Sequence, residues 1–325
     1  MASVSHFERE MTWGKLITGG ILLTLFLGTD GAKAQDRVPP VAAFKSRIDM
    51  VRIAAVVRDS KGRFVQDLTV RDFEVVDGGQ TRAISDLQND MTGVSVAMLF
   101  DISGSMEGHL PNAREAGMHL LRWLDTLRDE AAIFTFDTHL DERAPFTTGL
   151  RSLPDSMTRV VPFGATSLHD AIALTARRVG EREGRRRAVV VLTDGADNAS
   201  RLKPEDVSAI ASAIDVPVYI FGIVPSIDNP SADTSTHSVE STAFAGPLAD
   251  LAAWTGGHVF VASTPGQRSV AARQIIDELR HQYVIAFESS GRAGWHSLVV
   301  RARNKDLTVR ARSGYIAGQS SPTAH

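Results

Sequence analysis

Cysteine is absent from the 325-residue chain. Its absence excludes disulfide bonds, thiolate metal sites and cysteine nucleophiles, and it also excludes a lipid-modified N-terminal cysteine. The rest of the composition is ordinary for a folded chain, with 43% hydrophobic and 22% charged residues, so extensive disorder is not expected. A cysteine-free chain fits either the cytoplasm or a bacterial envelope. The location of the protein must therefore be inferred from its N-terminal sequence.

The apolar stretch near the N-terminus is too short to span a membrane. Residues 16–27 form a 12-residue apolar core, whereas a membrane-spanning helix needs about 20 residues. Lys15 precedes this core and Ala32-Lys33-Ala34 follows it, which is the three-part pattern of a secretory signal peptide. The alternatives are a buried helix and an uncleaved anchor, which would be the one route to a membrane. We therefore predict a signal peptide over residues 1–34, cleavage after Ala34, and export to the periplasm or the extracellular space.

The sequence also lacks the motifs of several common functions. The formal net charge is −3, and the run Arg185-Arg186-Arg187 is more typical of a solvated edge than of a nucleic-acid patch, so no nucleic acid is expected. No H-E-x-x-H, P-loop or G-x-G-x-x-G motif occurs. Ser105 with His109 or His169 would be the hydrolase alternative, but the nucleophile elbow G-x-S-x-G is absent. We therefore predict that the chain is not an enzyme.

The organisation of the chain follows from where strands alternate with helices. Regular β/α alternation over residues 92–280 predicts a doubly wound, mostly parallel α/β sheet with helices on both faces, including helices at 111–128 and 244–255. Short alternating strands lie on both sides of this region, and each flank is too small to form a core alone. We predict that they pair into one split β-sandwich-like domain that contains the α/β domain as an insertion. The segments outside the α/β region are a linker at 35–43, the two halves of the β domain at 44–91 and 281–317, and a disordered tail at 318–325.

Five side chains with oxygen atoms occupy the places where a ligand site of such a sheet forms. Three of them follow the buried strand 94–100 at alternate positions, one follows the buried strand 189–192, and one lies in a loop that Gly164 begins. Ligands of open α/β sheets bind past the carboxyl ends of the strands, and hard divalent cations prefer oxygen ligands. The sequence therefore predicts a cation site. Its candidate ligands are Asp101, Ser103, Ser105, Thr166 and Asp194.

The order D-x-S-x-S, then G-x-T, then T-D-G resembles the metal-ion-dependent adhesion site of von Willebrand factor type A domains. The resemblance implies that Ser103, Ser105 and Thr166 give hydroxyl oxygens, while Asp101 and Asp194 act directly or through water. It implies Mg²⁺ or Mn²⁺ as the metal. It also implies that a partner protein completes the site with an Asp or Glu carboxylate. Mg²⁺ keeps octahedral coordination, so five such positions leave room for that outside ligand.

The flanking motifs widen this resemblance. The stretch D-L-T-V-R-D-F-E-V-V-D-G-G precedes the α/β region, and L-R-H-Q-Y-V-I-A-F and V-R-A-R-S-G-Y follow it. These stretches resemble the secreted proteins related to von Willebrand factor type A domains that are known from acidobacteria and similar bacteria. The resemblance implies a secreted bacterial protein whose binding domain carries flanking β strands.

The expected function is metal-dependent binding of a partner protein, of the adhesion type. The alternative is a structural protein of the cell envelope that has this scaffold but no metal-dependent binding. Aromatic residues are sparse near the site, so we expect Met106, His109 and the polar loop at 226–242 to form the partner surface. Asp197 and Asn198, which follow the T-D-G turn, are expected to form the loop rather than to bind the metal.

Overall fold

A computed structural model describes residues 50–89, 93–182, 184–213, 215–225, 244 and 246–317. The predicted signal peptide, the linker, the polar loop at 226–242 and the tail at 318–325 lie outside the described residues. Among the helices that are described, none is long and apolar enough to cross a membrane.

The described strands and α-helices alternate in the central part of the chain, while both flanks contain strands. The strands are β1 (Met50–Arg58), β2 (Phe73–Asp77), β3 (Gln80–Arg82), β4 (Ile84–Gln88), β5 (Val94–Asp101), β6 (Glu130–Phe136), β7 (Leu140–Thr148), β8 (Arg186–Thr193), β9 (Val218–Ile223), β10 (Val259–Ala262), β11 (Gln282–Glu288), β12 (Gly294–Ala302), β13 (Thr308–Ala311) and β14 (Gly314–Ala317). The helices are α1 (Leu110–Trp123), α2 (Asp155–Thr158), α3 (Leu168–Gly180), α4 (Pro204–Ala213), α5 (Pro247–Thr255) and α6 (Pro265–Arg280).

The central sheet has the strand order β10-β9-β8-β5-β6-β7. All neighbouring strands in it are parallel except for β6 and the edge strand β7. Every residue of β5 is buried, as its apolar sequence predicts for a strand covered on both faces. The predicted fold class, a mostly parallel α/β sheet with helices on both faces, is confirmed.

Side chains of β5 alternate between two hydrophobic cores. Val96, Met98 and Phe100 pack in the core that α1 and α6 cover. Ala97 and Leu99 pack in the core that α3, α4 and α5 cover. This alternation is the period of two that a strand imposes on its side chains, and it fixes β5 in the middle of the domain.

Two predicted helices differ from the observed ones. The helix predicted at 111–128 ends at Trp123, because the Asp129 carboxylate accepts hydrogen bonds from the backbone of Asp125 at 2.7 Å and of Val94 at 2.9 Å. Such side-chain acceptors stabilise a turn in place of further helix. The helix predicted at 244–255 begins only at Pro247, since Gly246 has a φ of +96° that is incompatible with a right-handed helix.

The remaining strands form two antiparallel sheets, and each sheet contains strands from both flanks. Their strand orders are β13-β1-β11-β4 and β14-β12-β2-β3. The facing sides of the two sheets share one hydrophobic core, in which Ile53 and Phe287 of the first sheet meet Val75 and Leu298 of the second. Strands β4 and β14 were not expected from the sequence. The two flanks therefore share a single buried core instead of forming separate modules.

Residues of the two flanking motifs contact each other through Tyr283. Its hydroxyl donates a hydrogen bond to the carbonyl of Val65 at 3.0 Å and accepts one from the amide of Leu68 at 3.1 Å. The same ring packs edge-on against Phe73. The stretch before the α/β region is thus fixed against the stretch that follows it.

The last helix of the α/β domain is attached to the antiparallel sheets by buried charge. Glu278 of α6 pairs with Arg58 of β1 at 3.1 Å and with Arg310 of β13. Arg310 also donates to the carbonyls of Gly256 and Gly257, at 3.0 and 2.6 Å. Because Glu278 is buried, these two arginines provide the charge compensation that its carboxylate needs.

Candidate functional site

The site begins where the two central strands end side by side. Strand β5 ends at Asp101 and its neighbour β8 ends at Thr193, in a parallel register that pairs Phe100 with Leu192. The hydroxyl of Thr193 donates a hydrogen bond to Oδ2 of Asp101 at 2.7 Å and accepts one from the amide of Gly195 at 3.0 Å. The carboxyl ends of both strands are therefore joined at one edge of the sheet.

The loop after β5 holds its three candidate ligands together. Oδ1 of Asp101 accepts hydrogen bonds from the amide of Ser103 at 2.9 Å and from its hydroxyl at 2.6 Å. The hydroxyls of Ser103 and Ser105 lie 3.1 Å apart. Asp101 and Ser103 are buried and Ser105 is exposed, so this row of oxygens leads from the sheet to the surface.

Thr166 lies between the loops that follow β5 and β8. Its amide donates to Oδ1 of Asn198 at 2.8 Å, and its carbonyl accepts from the amides of Asn198 and Ala199 at 3.1 and 3.0 Å. Two residues earlier, the carbonyl of Gly164 accepts from the amide of Gly104 at 3.0 Å. Thr166 is buried as a residue, and the hydrogen bonds found for it among the described residues use its backbone and not its hydroxyl. That oxygen is available to a ligand.

Asp194 follows β8 directly and is half-buried. Its carboxylate accepts only a long contact from the amide of Ala196, at 3.4 Å. The next residue, Gly195, has a φ of +95°, and a Cβ there would lie 2.7 Å from the ring of Phe244. Glycine is therefore required for the turn that directly follows Asp194.

The site carries negative charge without a basic partner. Burial, with a smaller contribution from the charge of Asp194, raises the pKa of Asp101 to about 6 in spite of the hydrogen bonds from Ser103 and Thr193. Within the described ranges, neither carboxylate forms an ion pair. A divalent cation would remove the repulsion between the two carboxylates, so the charge of the site fits one.

The donor set also fits a hard cation. Two carboxylates and three hydroxyls offer oxygen ligands only, which is the preference of Mg²⁺ and Mn²⁺. Among the described residues, no three His, Asp or Glu side chains are grouped so that they hold a metal by themselves. A metal held at this edge of the sheet would therefore need the hydroxyls of Ser103, Ser105 and Thr166 in addition to the two carboxylates.

Three residues that brace the site were not predicted to do so. Thr193 fixes the Asp101 carboxylate, and Asn198 fixes the Thr166 backbone. Asp197 accepts from the amide of His169 at 3.0 Å and lies 2.8 Å from its ring nitrogen. Burial alone would raise the pKa of Asp197, but hydrogen bonds from Ser200 and His169 hold it below its usual value. The position of Thr193 as the last residue of an apolar strand was the available sequence signal.

The structure changes the set of residues that are expected to form the partner surface. Met106 was expected there, but it is fully buried in the core beneath α1, and His109 is only half-exposed. The large apolar side chains that are exposed beside the site are Val161 and Phe163, at 78% and 80% of their full area. The sequence expectation missed them although Phe163 directly precedes Gly164 of the G-x-T motif, because nothing in the sequence shows which apolar side chains of this loop are exposed. The polar loop at 226–242 lies outside the described residues.

This α/β domain has an open, mostly parallel sheet, and oxygen-bearing loop residues lie past its central strands, where such sheets place their ligand sites. Residues 96–196 of this domain match the family of von Willebrand factor type A domains, and the chain therefore contains a domain of that family. The matched segment begins in β5 and ends just after Asp194, so it includes all five candidate ligands. A comparison with curated proteins gave no match.

Several solved structures are similar to the chain. The protein BatB from Bacteroides thetaiotaomicron is 20% identical, with a TM-score of 0.45, over 57% of this chain and 98% of its own. A von Willebrand factor type A protein from Catenulispora acidiphila is 14% identical, with a TM-score of 0.45, over 84% of this chain and 76% of its own. Proximal thread matrix protein 1 from the mussel byssus, described with a zinc-occupied metal-ion-dependent adhesion site, is 19% identical, with a TM-score of 0.42, over 63% of this chain and 50% of its own.

Proposed function

We propose that the chain is an exported protein that binds a divalent cation at this site and, through the cation, a carboxylate of a partner protein. The ligands are Asp101, Ser103, Ser105, Thr166 and Asp194. One observation carries the proposal. The two carboxylates and the Thr166 hydroxyl lie in adjoining loops at one sheet edge, and no basic side chain neutralises them within the described residues.

The chemistry of the site explains why a partner carboxylate is the expected outside ligand. Three hydroxyls are neutral, so Asp101 and Asp194 only balance the charge of Mg²⁺ or Mn²⁺. Octahedral coordination with five protein positions leaves room for another ligand. An anionic oxygen is the favoured one, because a cation that is merely neutralised still attracts negative charge.

Export rests on the N-terminal sequence. The apolar core at 16–27, with Lys15 before it and Ala32-Lys33-Ala34 after it, supports a signal peptide that is cleaved after Ala34. The flanking motifs support membership of the secreted bacterial proteins that combine a von Willebrand factor type A domain with β strands. A membrane association would then come only from an uncleaved signal.

A binding function is favoured over hydrolysis by the contacts of Ser105 and His169. The Ser105 hydroxyl contacts the Ser103 hydroxyl, and the His169 ring pairs with Asp197. A hydrolase would instead need the serine hydrogen-bonded to a general base. The described hydrogen bonds of Ser105 include no histidine, which supports a role of Ser105 as a ligand rather than as a nucleophile.

Thermal unfolding of residues 35–325 in EDTA, Mg²⁺ or Mn²⁺ tests the metal site. A ligand that binds only the native state stabilises it by about 2.7 kcal/mol at a concentration of 100 times the Kd. We expect the metal to raise the Tm of the wild type and to leave that of Asp194→Ala unchanged. Asp194 suits this substitution because its carboxylate makes only one weak hydrogen bond.

The structural alternative makes the opposite prediction. A scaffold without metal-dependent binding would melt at the same temperature in EDTA and in Mg²⁺, for the wild type and for Asp194→Ala alike. That result would overturn the proposed function.

A further inference from the structure

Two exposed apolar side chains stand beside the candidate metal site. Val161 and Phe163 are 78% and 80% exposed, and among the large apolar side chains of the described residues only Leu127, at 87%, is comparably exposed. Single exposed apolar groups are common on soluble proteins, but Val161 and Phe163 are only two positions apart, and apolar area beside a ligand site is typical of a contact surface. We call Val161 and Phe163 the apolar rim.

The apolar rim is joined to the ligand loops by backbone hydrogen bonds. The amide of Phe163 donates to the carbonyl of Ile102 at 2.9 Å, and Ile102 lies between the candidate ligands Asp101 and Ser103. The following residue, Gly164, accepts from the amide of Gly104 at 3.0 Å. The Phe163 backbone is therefore within one hydrogen bond of the loop that holds the metal ligands.

The rim is also fixed in position. Arg114 of α1 donates to the carbonyl of Val160 at 2.8 Å, which anchors the chain just before Val161. Gly164 has a φ of +87°, which turns the chain sharply after Phe163. The backbone is thus held on both sides while the two side chains project into solvent, so the exposed apolar area does not depend on movement of the loop.

We infer that the apolar rim accepts a large apolar side chain of the partner, next to the carboxylate that the metal binds. This inference rests on the proposed function. The occupant is a loop of a partner protein that carries an Asp or Glu with a large apolar residue within about three positions, the distance that neighbouring side chains of a loop span. The metal supplies the attraction for the carboxylate, and Val161 and Phe163 supply the preference among acidic loops.

Two physical arguments support this occupant. A carboxylate alone distinguishes few partners, since most protein surfaces carry exposed Asp and Glu residues. Apolar contacts around a polar interaction exclude water from it and concentrate the binding energy at the centre of the interface. An apolar partner residue packed on Phe163 therefore adds specificity and strengthens the bond between the cation and the carboxylate.

Selection of random peptides displayed on phage tests the inference without knowledge of the partner. The exported chain is immobilised in Mg²⁺, and bound phage are eluted with EDTA. We expect the eluted peptides to be enriched in Asp or Glu together with a large apolar residue within about three positions. For a peptide selected in this way, Phe163→Ser should weaken binding about tenfold or more, as the loss of an interface aromatic does.

Leu127→Ser is the matched control. Leu127 is equally exposed, but it lies just before β6, at the edge of the sheet opposite to the metal site. This variant should select the same peptides as the wild type, and Phe163→Ser should still select acidic peptides while losing the apolar preference. Melting in Mg²⁺ should show the same metal-induced rise in Tm for all three proteins, because Phe163 is not a metal ligand.

The outcomes separate the two proposals. Acidic peptides without an apolar neighbour, or an apolar preference that persists in Phe163→Ser, would overturn the apolar rim and leave the metal site intact. Absence of any EDTA-eluted acidic peptide would overturn both. If the wild type self-associates and Phe163→Ser does not, the apolar rim is a contact between two copies of the chain. That result would also overturn the inference.

Discussion

Thr193 donates a hydrogen bond of 2.7 Å to Asp101, a residue 92 positions earlier in the chain. The bond joins the ends of β5 and β8 and orients one carboxylate oxygen away from the loop of Ser103. Thr193 is not itself a candidate ligand. It acts on the candidate metal site by fixing the orientation of the candidate ligand Asp101.

Thr193→Val tests this positioning role. The substitution keeps the shape of the side chain and removes the hydroxyl, so the Asp101 carboxylate loses one of its hydrogen bonds. Partners that orient a metal ligand typically contribute 10–100-fold to metal affinity, and we expect the Mg²⁺ affinity to fall by about that factor. Titration of Mg²⁺ by calorimetry measures it. An unchanged affinity would show that Thr193 has no such role.

Thr175→Val is the control for removing a buried threonine hydroxyl. Thr175 lies on α3, and its Oγ1 has no hydrogen-bond partner in the described structure. A buried polar group without a partner destabilises the fold by about 1–3 kcal/mol. We therefore expect Thr175→Val to leave metal affinity unchanged and to leave stability unchanged or raise it.

Asn198 should affect the metal site through Thr166. Its Oδ1 accepts from the Thr166 amide at 2.8 Å. Asn198→Ala removes this acceptor and should weaken Mg²⁺ binding, whereas Asn198→Asp retains an acceptor and adds negative charge near the cation. We expect the Asp variant to bind Mg²⁺ at least as well as the wild type. If the Ala and Asp variants bind equally, the role assigned to the Asn198 side chain is wrong.

The metal effect should depend on pH because Asp101 is buried. Burial raises its pKa from 3.8 to about 6, so the metal-free native state binds this proton more tightly than the unfolded state does. The stability of the metal-free protein should therefore decrease as pH rises through this window. The Mg²⁺-induced rise in Tm should be small at about pH 4.5 and complete at about pH 7.5, because the cation displaces the proton. Melting curves at several pH values check this, and metal-free Asp101→Asn is the control for the titration, because it lacks the titrating group.

Glu278 should stabilise the attachment of α6 to the antiparallel sheets. Glu278→Ala leaves Arg58 and Arg310 without their shared carboxylate, and breaking a buried pair in this way costs about 3–5 kcal/mol. Asp277→Ala is the control on the same helix. Its pair with Arg273 is more exposed, so it should cost less than about 1 kcal/mol. Urea unfolding measures both, and equal effects would contradict the role of the buried pair.

Much of the fold and the candidate ligands could be predicted because their signals are local. A mainly apolar stretch such as residues 94–100, in which Ser95 is the one polar residue, is typical of a strand buried on both faces. Parallel strands that are neighbours bring their carboxyl ends to one edge, so residues following β5 and β8 come together by topology alone. The sequence could therefore predict that the candidate ligands lie at one edge of the sheet, while their role as ligands stays a prediction.

The residues that the sequence did not reveal act through the tertiary structure. Nothing local marks Asn198 as an acceptor for Thr166, 32 positions earlier. Met106 and Phe163 are both large and apolar, and only the path of the chain buries the first beneath α1 and exposes the second beside the site. The end of α1 was misplaced for the same reason, since Asp129 stabilises the turn with its side chain.

Direct measurement of Mn²⁺ binding tests the central claim most directly. Free Mn²⁺ gives a sharp electron paramagnetic resonance signal that is lost on binding, so titration of the chain reports stoichiometry and affinity together. We predict that the wild type binds a single Mn²⁺, that Mg²⁺ displaces it, and that Asp194→Ala folds normally by circular dichroism but does not bind. If the wild type does not bind Mn²⁺, or if Asp194→Ala binds it equally well, the metal site proposed for these five residues is contradicted.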